Sequence, residues 1–259
     1  MEKILQLWSG DKDSTCAGDM HLERGDDVHF VCYIPMFDEV IPLIERCHYE
    51  HLMRCAEYYR SQGAKVTFTN GNLTYWEYCT KILSKGKRAG AMQSYPCFLK
   101  GKCGFNRDSK TSACEDVAKT IEYDFKDVGL CADEVNRKKL LPDEMSILQE
   151  LGITKKMTFE HCKNVGRLSP TYYGNKKRDG CTLCPHGKPT ERIQWFDDYN
   201  EFGAKKKLIE LQRILKEDSR LKGTKQIYPM RGKHYFIENE EFVSPKGTRI
   251  SLFGGDTIN

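Results

Sequence analysis

The chain has 259 residues, 39% of them apolar and 11% aromatic, which fits one large α/β domain or a core domain with a smaller C-terminal extension and argues against disorder. Its 41 basic and 37 acidic side chains leave a formal charge of +4, too small to imply nucleic-acid binding by itself. The apolar stretch after Met1-Glu2-Lys3 is too short for a signal peptide, and no run approaches the roughly 18 apolar residues of a membrane span, so a cytoplasmic protein is expected.

The predicted elements begin with a buried strand at Lys3–Trp8, followed by a turn that runs into a helix through about Glu23. Arg24-Gly25-Asp26-Asp27 breaks the chain, and a second strand is expected from 28 to 34, with Pro35 at its end. Residues 39–62 have helical spacing (Ile41, Ile44, Cys47, His51, Cys55, Tyr58) and stop at Gly63, a good C-terminal signal. A third strand follows at Lys65–Thr69. Strand, helix, strand, helix, strand is the pattern of a parallel sheet with crossover helices.

Farther on, helices are expected at 75–84, 112–120 and 143–152, with a strand within 121–130. Residues 85–107 read mostly as a basic loop, and 163–189 as a Gly-, Pro- and Lys-rich stretch carrying the last cysteines. A charged helix is expected over 197–221, broken at Gly203, with Leu208, Leu211 and Leu215 on its docked face. The last 35 or so residues read as short strands and turns. No internal repeat or low-complexity segment is present.

The turn after the first strand carries the chemistry. Ser9-Gly10-Asp11-Lys12-Asp13-Ser14-Thr15 places small residues, a lysine and hydroxyls at a strand-to-helix junction. The first helical N–H groups lack intrahelical partners and the helix dipole favours negative charge there. Gly10 allows the backbone to approach an oxyanion, Lys12 adds a positive charge, and Ser9, Ser14 and Thr15 can donate hydrogen bonds. The spacing is not that of a Walker A loop. The same residues also make an ordinary strand–helix turn capped by Asp13 or Ser14.

The loop resembles the S-G-G-K-D-S signature of the PP-loop ATP pyrophosphatase superfamily, with Asp11 in place of the second glycine. That replacement weakens nucleotide binding, points its carboxylate away, or helps to hold Mg²⁺. Val128-Gly129-Leu130-Cys131-Ala132-Asp133-Glu134-Val135-Asn136-Arg137 is similar to the G-I-R-A-D-E-S-x-R-R segment of the phosphoadenosine phosphosulfate (PAPS) reductase family within it, with Cys131 for the arginine and Val135 for the serine. The resemblance implies that Asp133, Glu134 and Arg137 help to hold the nucleotide or its anionic partner. Without it, Asp133-Glu134 reads as a solvated turn or helix cap.

In a reducing compartment the 12 cysteines are not expected to pair as disulfides. Gly180-Cys181-Thr182-Leu183-Cys184-Pro185 is a C-x-x-C whose Gly and Pro flanks suit a metal knuckle better than a redox pair. Cys97 and Cys103 are the best further ligands, with Cys131 or Cys162 as replacements. In the family, a cysteine pair followed by an arginine and a lysine joins the C-x-x-C to bind a four-iron cluster. Cys103, Arg107 and Lys110 look like that layout, with the adjacent pair opened to Cys97 and Cys103, so Zn²⁺ and an iron–sulfur cluster both stay open. Arg107, Lys110, Lys177 and Arg178 flank these ligands and are read as an anion-binding rim or as solvated charge. Cys16, Cys32, Cys47, Cys55, Cys79 and Cys114 are read as packing residues. His48 and His51 are read as surface or partly buried, with catalysis the lesser alternative.

The resemblance covers about residues 1–190, leaving 191–259 as a C-terminal helical and short-strand extension. It implies an α/β fold of the HUP/adenine nucleotide alpha hydrolase-like type, a doubly wound, mostly parallel sheet with a small Cys-containing metal-binding region. The implied activity is attack on the α-phosphate of ATP with release of pyrophosphate, using Mg²⁺, Lys12 and Asp13, and adenylation of an acceptor that then takes sulfur or nitrogen. A sulfonucleotide reductase using a non-standard thiol is the alternative, since no cysteine follows Cys184 and the family's E-C-G-[LI]-H segment is absent. A non-catalytic nucleotide-binding module is the third reading. The expected partners are an adenine nucleotide and an acceptor that the sequence does not name. A nucleic-acid acceptor has no recognisable binding module to support it, and the oligomeric state is not legible.

Overall fold

A computed structural model describes residues 1–96, 98–99, 102–134, 139–174, 180–184 and 189–218 and three short strands at 236–238, 241–243 and 249–251. The described chain divides into two compact units. The first comprises Met1–Ile34, Cys47–Gly71 and Ser112–Asp179, and the second Pro35–Arg46, Asn72–Thr111 and Gly180–Asn259.

The first unit is built on a five-stranded, all-parallel sheet. Its strands are β1 (Lys3–Trp8), β2 (Asp27–Tyr33), β3 (Lys65–Thr69), β6 (Phe125–Asp127) and β7 (Glu144–Met145), in the order β3-β2-β1-β6-β7. Helices cover both faces, as a parallel sheet requires. On one face lie α1 (Lys12–Arg24) and α2 (Arg46–Ser61). There Tyr59 of α2 stacks on Phe30 at 4.0 Å, and Trp8 meets both rings edge-on. On the other, α4 (Ser112–Ala118) lays Ala113 and Cys114 against Leu5, Val31 and Tyr33. The short α5 (Ile147–Glu150) and α6 (Lys155–Asn164) pack on α1 through Ile147, Leu148, Cys162, Cys16 and Ala17. The doubly wound α/β class expected from the sequence is therefore present.

A buried histidine ties this sheet to α1. His21 is fully buried, with Nδ1 2.9 Å from Asp26 Oδ2 and Nε2 2.8 Å from Asp127 Oδ2. Asp127 also accepts the amides of Gly129 and Ile147 at 2.6 and 2.9 Å, so one side chain holds the end of β6 to both following segments.

Several element boundaries differ from the sequence expectation. The helix expected over 39–62 begins only at Arg46. Asp38 accepts the amides of Val40 and Ile41, and Pro42, which has no N–H to offer a helix, sits in a bridge with Met36. The helix expected over 143–152 instead contributes β7 and then α5, capped by Ser146. The sequence reading did not mark α6. In the second unit the charged helix expected over 197–221 begins only after Gly203, as α8 (Ala204–Glu217), and α7 (Pro189–Asp198) precedes it where the sequence reading marked no helix.

The core of the second unit gathers Phe37, Tyr75, Tyr78, Trp195, Phe196 and the Leu208, Leu211 and Leu215 face of α8. It also contains α3 (Tyr75–Thr80), closed by a Thr74–Glu77 capping box, and the hairpin of β4 (Phe98–Leu99) and β5 (Lys102–Cys103). Its last strands, β8 (Phe236–Glu238), β9 (Glu241–Val243) and β10 (Arg249–Ser251), pair antiparallel.

Candidate functional site

The turn between β1 and α1 forms a loop closed on itself. Gly10 has φ +73°, a conformation that L side chains rarely adopt, and a Cβ built there would stand 2.4 Å from Leu52 Cδ2. Position 10 therefore accepts glycine alone on two grounds, backbone and space. Asp11, and neither Asp13 nor Ser14, is the N-cap of α1. Its Oδ1 accepts the Ser14 amide at 2.9 Å and the Ser14 hydroxyl at 2.7 Å. Ser14 Oγ in turn receives the Ser9 amide at 3.2 Å. Thr15 faces inward, fully buried, and accepts the Trp8 indole N–H at 3.1 Å. It anchors the loop to the core.

Asp13 is the hub on the other side of the helix start. Its Oδ1 is paired with Lys12 Nζ and accepts the Thr158 hydroxyl at 2.6 Å and the Cys131 thiol at 3.2 Å. Thr158 also lies 3.2 Å from Lys12 Nζ. The Cys131 thiol is pushed well above its ordinary range by burial and by the neighbouring Asp13 carboxylate, so it stays protonated and donates.

The segment after β6 meets this loop. A Cβ at Gly129 would stand 3.3 Å from Ser14 Cα, which is a close backbone approach. Beyond it, Glu134 accepts the Cys131 amide at 3.3 Å and pairs with Lys155 Nζ at 2.9 Å, while Asp133 accepts the Lys155 amide at 3.2 Å at the start of α6. Ligand atoms of Asp13, Cys131 and Glu134 lie within 4.8 Å of one another, and this is the one such group of three among the described residues. The two carboxylates are the donors here that suit a hard cation such as Mg²⁺.

Behind the loop, α2 presents two histidines that the sequence left on or near the surface. His48 and His51 are both buried, and their rings lie 6.1 Å apart. His48 Nδ1 is 2.9 Å from Ser169 Oγ, which is 3.0 Å from Thr171 Oγ1, and His48 Nε2 is 3.2 Å from the Ser9 carbonyl. Burial, His48 and Arg54 hold His51 down at about 4. Thr158 and Ser169 were not singled out as site residues because they reach this region only through the fold, and His48 and His51, read as surface or partly buried with catalysis the lesser alternative, are buried beside the loop.

In the second unit, Cys181 and Cys184 face each other across a turn closed by the Cys184 amide on the Cys181 carbonyl at 3.0 Å. Their mutual contact and burial drive the Cys181 thiol well up, with Cys103 adding to the effect. Cys103 and Cys181 pack against the cluster that buries Cys79, and burial and Cys103 raise the Cys79 thiol well above its ordinary range. Fully buried Arg192 donates to the Cys184 carbonyl at 3.0 Å, and the buried Tyr95 hydroxyl has no hydrogen-bond partner among the described residues. The thiols are soft donors beside a buried guanidinium, but no three of them lie within 4.8 Å of one another among the described residues. Arg107, exposed beside Asp108, and Lys110 lie on the turn between β5 and α4, in this unit. Cys97, Arg137, Lys177 and Arg178 lie outside the described residues. Of the cysteines read as packing residues, Cys47 is exposed and the other five are buried.

No family model and no curated protein matches the chain. Among solved structures, a 4-thiouridine synthetase in complex with RNA and ATP is similar at 18% identity and a TM-score of 0.44, over 85% of this chain and 54% of that one. A predicted subunit of tRNA methyltransferase from Methanocaldococcus jannaschii DSM is similar at 16% identity and a TM-score of 0.30, over 70% of this chain and 96% of that one. This chain thus spans about half of the synthetase. No described helix is long and apolar enough to cross a membrane.

Proposed function

We propose that the chain is an adenine-nucleotide enzyme of the PAPS reductase-like branch of the PP-loop superfamily, with residues Ser9 to Thr15 holding or framing the nucleotide phosphates. The reaction proposed is attack by an acceptor oxygen on the α-phosphorus of ATP. The bond from that phosphorus to the bridging oxygen breaks, pyrophosphate leaves, and a sulfur or nitrogen nucleophile then attacks the adenylylated acceptor and displaces AMP. The observation that carries this reading is the meeting of two loops at one helix N-terminus. Gly10 and the first amides of α1 stand beside Lys12 and Asp13, and the Gly129-to-Glu134 segment closes against them. Lys12 offsets charge on the transferred phosphoryl group, and Asp13, steadied by Thr158 and Cys131, fixes where the ammonium stands. Asp13 and Glu134 are the residues that would hold Mg²⁺, which when bound offsets charge on the phosphates. Arg137, Lys177 and Arg178 are proposed to contact the anionic partner, with Arg107 and Lys110 on the rim. Cys103, Cys181 and Cys184, with Cys97, are proposed to hold Zn²⁺ or an iron–sulfur cluster, in a structural or substrate-facing role.

The test is release of pyrophosphate from ATP by the purified chain with candidate acceptors, compared with Lys12→Ala. Sulfite release from PAPS with a thiol reductant, in place of pyrophosphate from ATP, would turn the assignment to the reductase. One observation favours a binding module as the second reading. Asp11 places its carboxylate on the Ser14 amide that an anion would otherwise use. That reading gives nucleotide binding without turnover.

A further inference from the structure

His48 of α2 uses one of its ring nitrogens on a backbone carbonyl, and that carbonyl belongs to the loop between β1 and α1. The Ser9 carbonyl can only accept, so the proton between it and His48 Nε2 belongs to the ring. In the neutral ring Nδ1 then accepts, and the Ser169 hydroxyl donates to it at 2.9 Å. Ser169, with Thr171 beside it at 3.0 Å, thus complements the tautomer that the Ser9 carbonyl dictates and holds the ring in place. His51, one turn further along α2, has its ring nitrogens 3.8 and 3.5 Å from Cys55 Sγ. The lack of space for a Cβ at Gly10, with Leu52 at 2.4 Å and His48 Cε1 at 3.2 Å, shows how closely α2 presses on the loop.

A trans peptide is planar, with its N–H directed opposite to its C=O. Drawing the Ser9 carbonyl toward α2 turns the Gly10 N–H away from α2. That amide thus faces away from α2 before any anion arrives. Left to itself, a flexible Ser-Gly pair would present carbonyl oxygens there in part of its population, and these repel phosphate.

We propose that His48 is a positioning residue that pins the Ser9 carbonyl and so orients the Gly10 amide toward the nucleotide phosphates, with Ser169 holding the His48 ring in place. This rests on the loop being the phosphate site. His48 acts on binding through the backbone and touches no phosphate itself.

Glutamine and asparagine separate donation from mere packing. The side-chain amide introduced by His48→Gln can occupy the place of Nε2 and donate to Ser9, whereas that introduced by His48→Asn reaches only the place of Nδ1. Titration calorimetry of the full chain with inorganic pyrophosphate, and separately with ATP, reads the effect. His48→Gln is expected to bind within about threefold of wild type. His48→Asn and His48→Leu are expected to bind about tenfold more weakly, and Ser169→Ala to fall between these limits. The amide chemical shift of Gly10 moves in the weak binders without pyrophosphate present. If His48→Leu fails to fold, the Gln and Asn pair decides. Equal affinity in that pair, with wild-type binding intact, overturns the pinning and leaves the phosphate loop standing. If wild type binds neither pyrophosphate nor ATP, the phosphate-loop assignment fails, and the proposed purpose of the pinning fails with it.

Discussion

Replacing Asp11 by glycine tests how the loop treats anions. In the structure the Asp11 carboxylate occupies the Ser14 amide at 2.9 Å and its hydroxyl at 2.7 Å, so it holds the helix N-terminus that a phosphate would use. Removing it frees two donors and deletes one negative charge beside the incoming anion. Two unit charges about 5 Å apart repel by about 3 kcal/mol at an effective dielectric near 20. Screening by salt and solvent at this partly exposed position reduces that to about 1–2 kcal/mol. The cost to α1 is a few tenths of a kcal/mol, because glycine is itself a tolerable N-cap. Asp11→Gly is therefore expected to bind inorganic pyrophosphate about tenfold more tightly, with little loss of stability, and the gain should shrink as salt rises. Calorimetry without divalent cations measures it, and repetition with Mg²⁺ shows whether Asp11 also serves the cation. Unchanged or weaker binding of pyrophosphate in the metal-free titration would refute the reasoning, since it would mean that the carboxylate does not compete for the anion's place.

Four other outcomes are expected. Lys12→Ala should lower ATP-dependent pyrophosphate release by about 100-fold or more, the scale of losing a preorganised charge at a phosphoryl group, while denaturation midpoints stay close to wild type. Thr158→Val removes the 2.6 Å donor to Asp13 and should lower turnover by about tenfold with little change in nucleotide affinity, measured as a split between kcat and KM. His51, held at about 4 against an ordinary 6.5, is neutral in the fold and gains its proton more readily when unfolded. Its contribution is present above pH 6.5 and is lost as pH falls toward 4, at about 1.4 kcal/mol per pH unit, so denaturation of wild type should show a steeper acid loss there than His51→Gln. Metal analysis after anaerobic purification should return about one zinc or about four irons per chain, and Cys181→Ser and Cys184→Ser should lose it. A metal-free wild-type chain would remove the thiolate site.

The sequence alone determined the parts of this protein whose causes are local. Alternating strands and helices in the first 70 residues implied a parallel sheet, and β1, β2 and β3 stand where those patterns lie. The loop between β1 and α1 was legible as a strand–helix turn because a glycine, a lysine and capping groups within a few residues suffice to build one. The N-cap itself was misassigned, since Asp11, Asp13 and Ser14 can all cap and only the backbone conformation chooses among them. Pro42 was a local stop signal overlooked within a long apolar period. The two-residue β7 is too short to show an alternation of its own, and its pairing with β6 defines it.

The rest belongs to the tertiary structure. Asp13 meets Thr158 and Cys131 across 145 and 118 residues of chain, and His48 meets Ser169 across 121. Hydrophobic periodicity says which face of a helix is buried but not which distant hydroxyl it will find. The division into two units, each assembled from three separate segments, is equally silent in composition. Local propensities wrote the loop. Packing decided which side chains hold it open, because an imidazole becomes a carbonyl anchor only when a second element brings it within hydrogen-bonding reach and excludes the competing water.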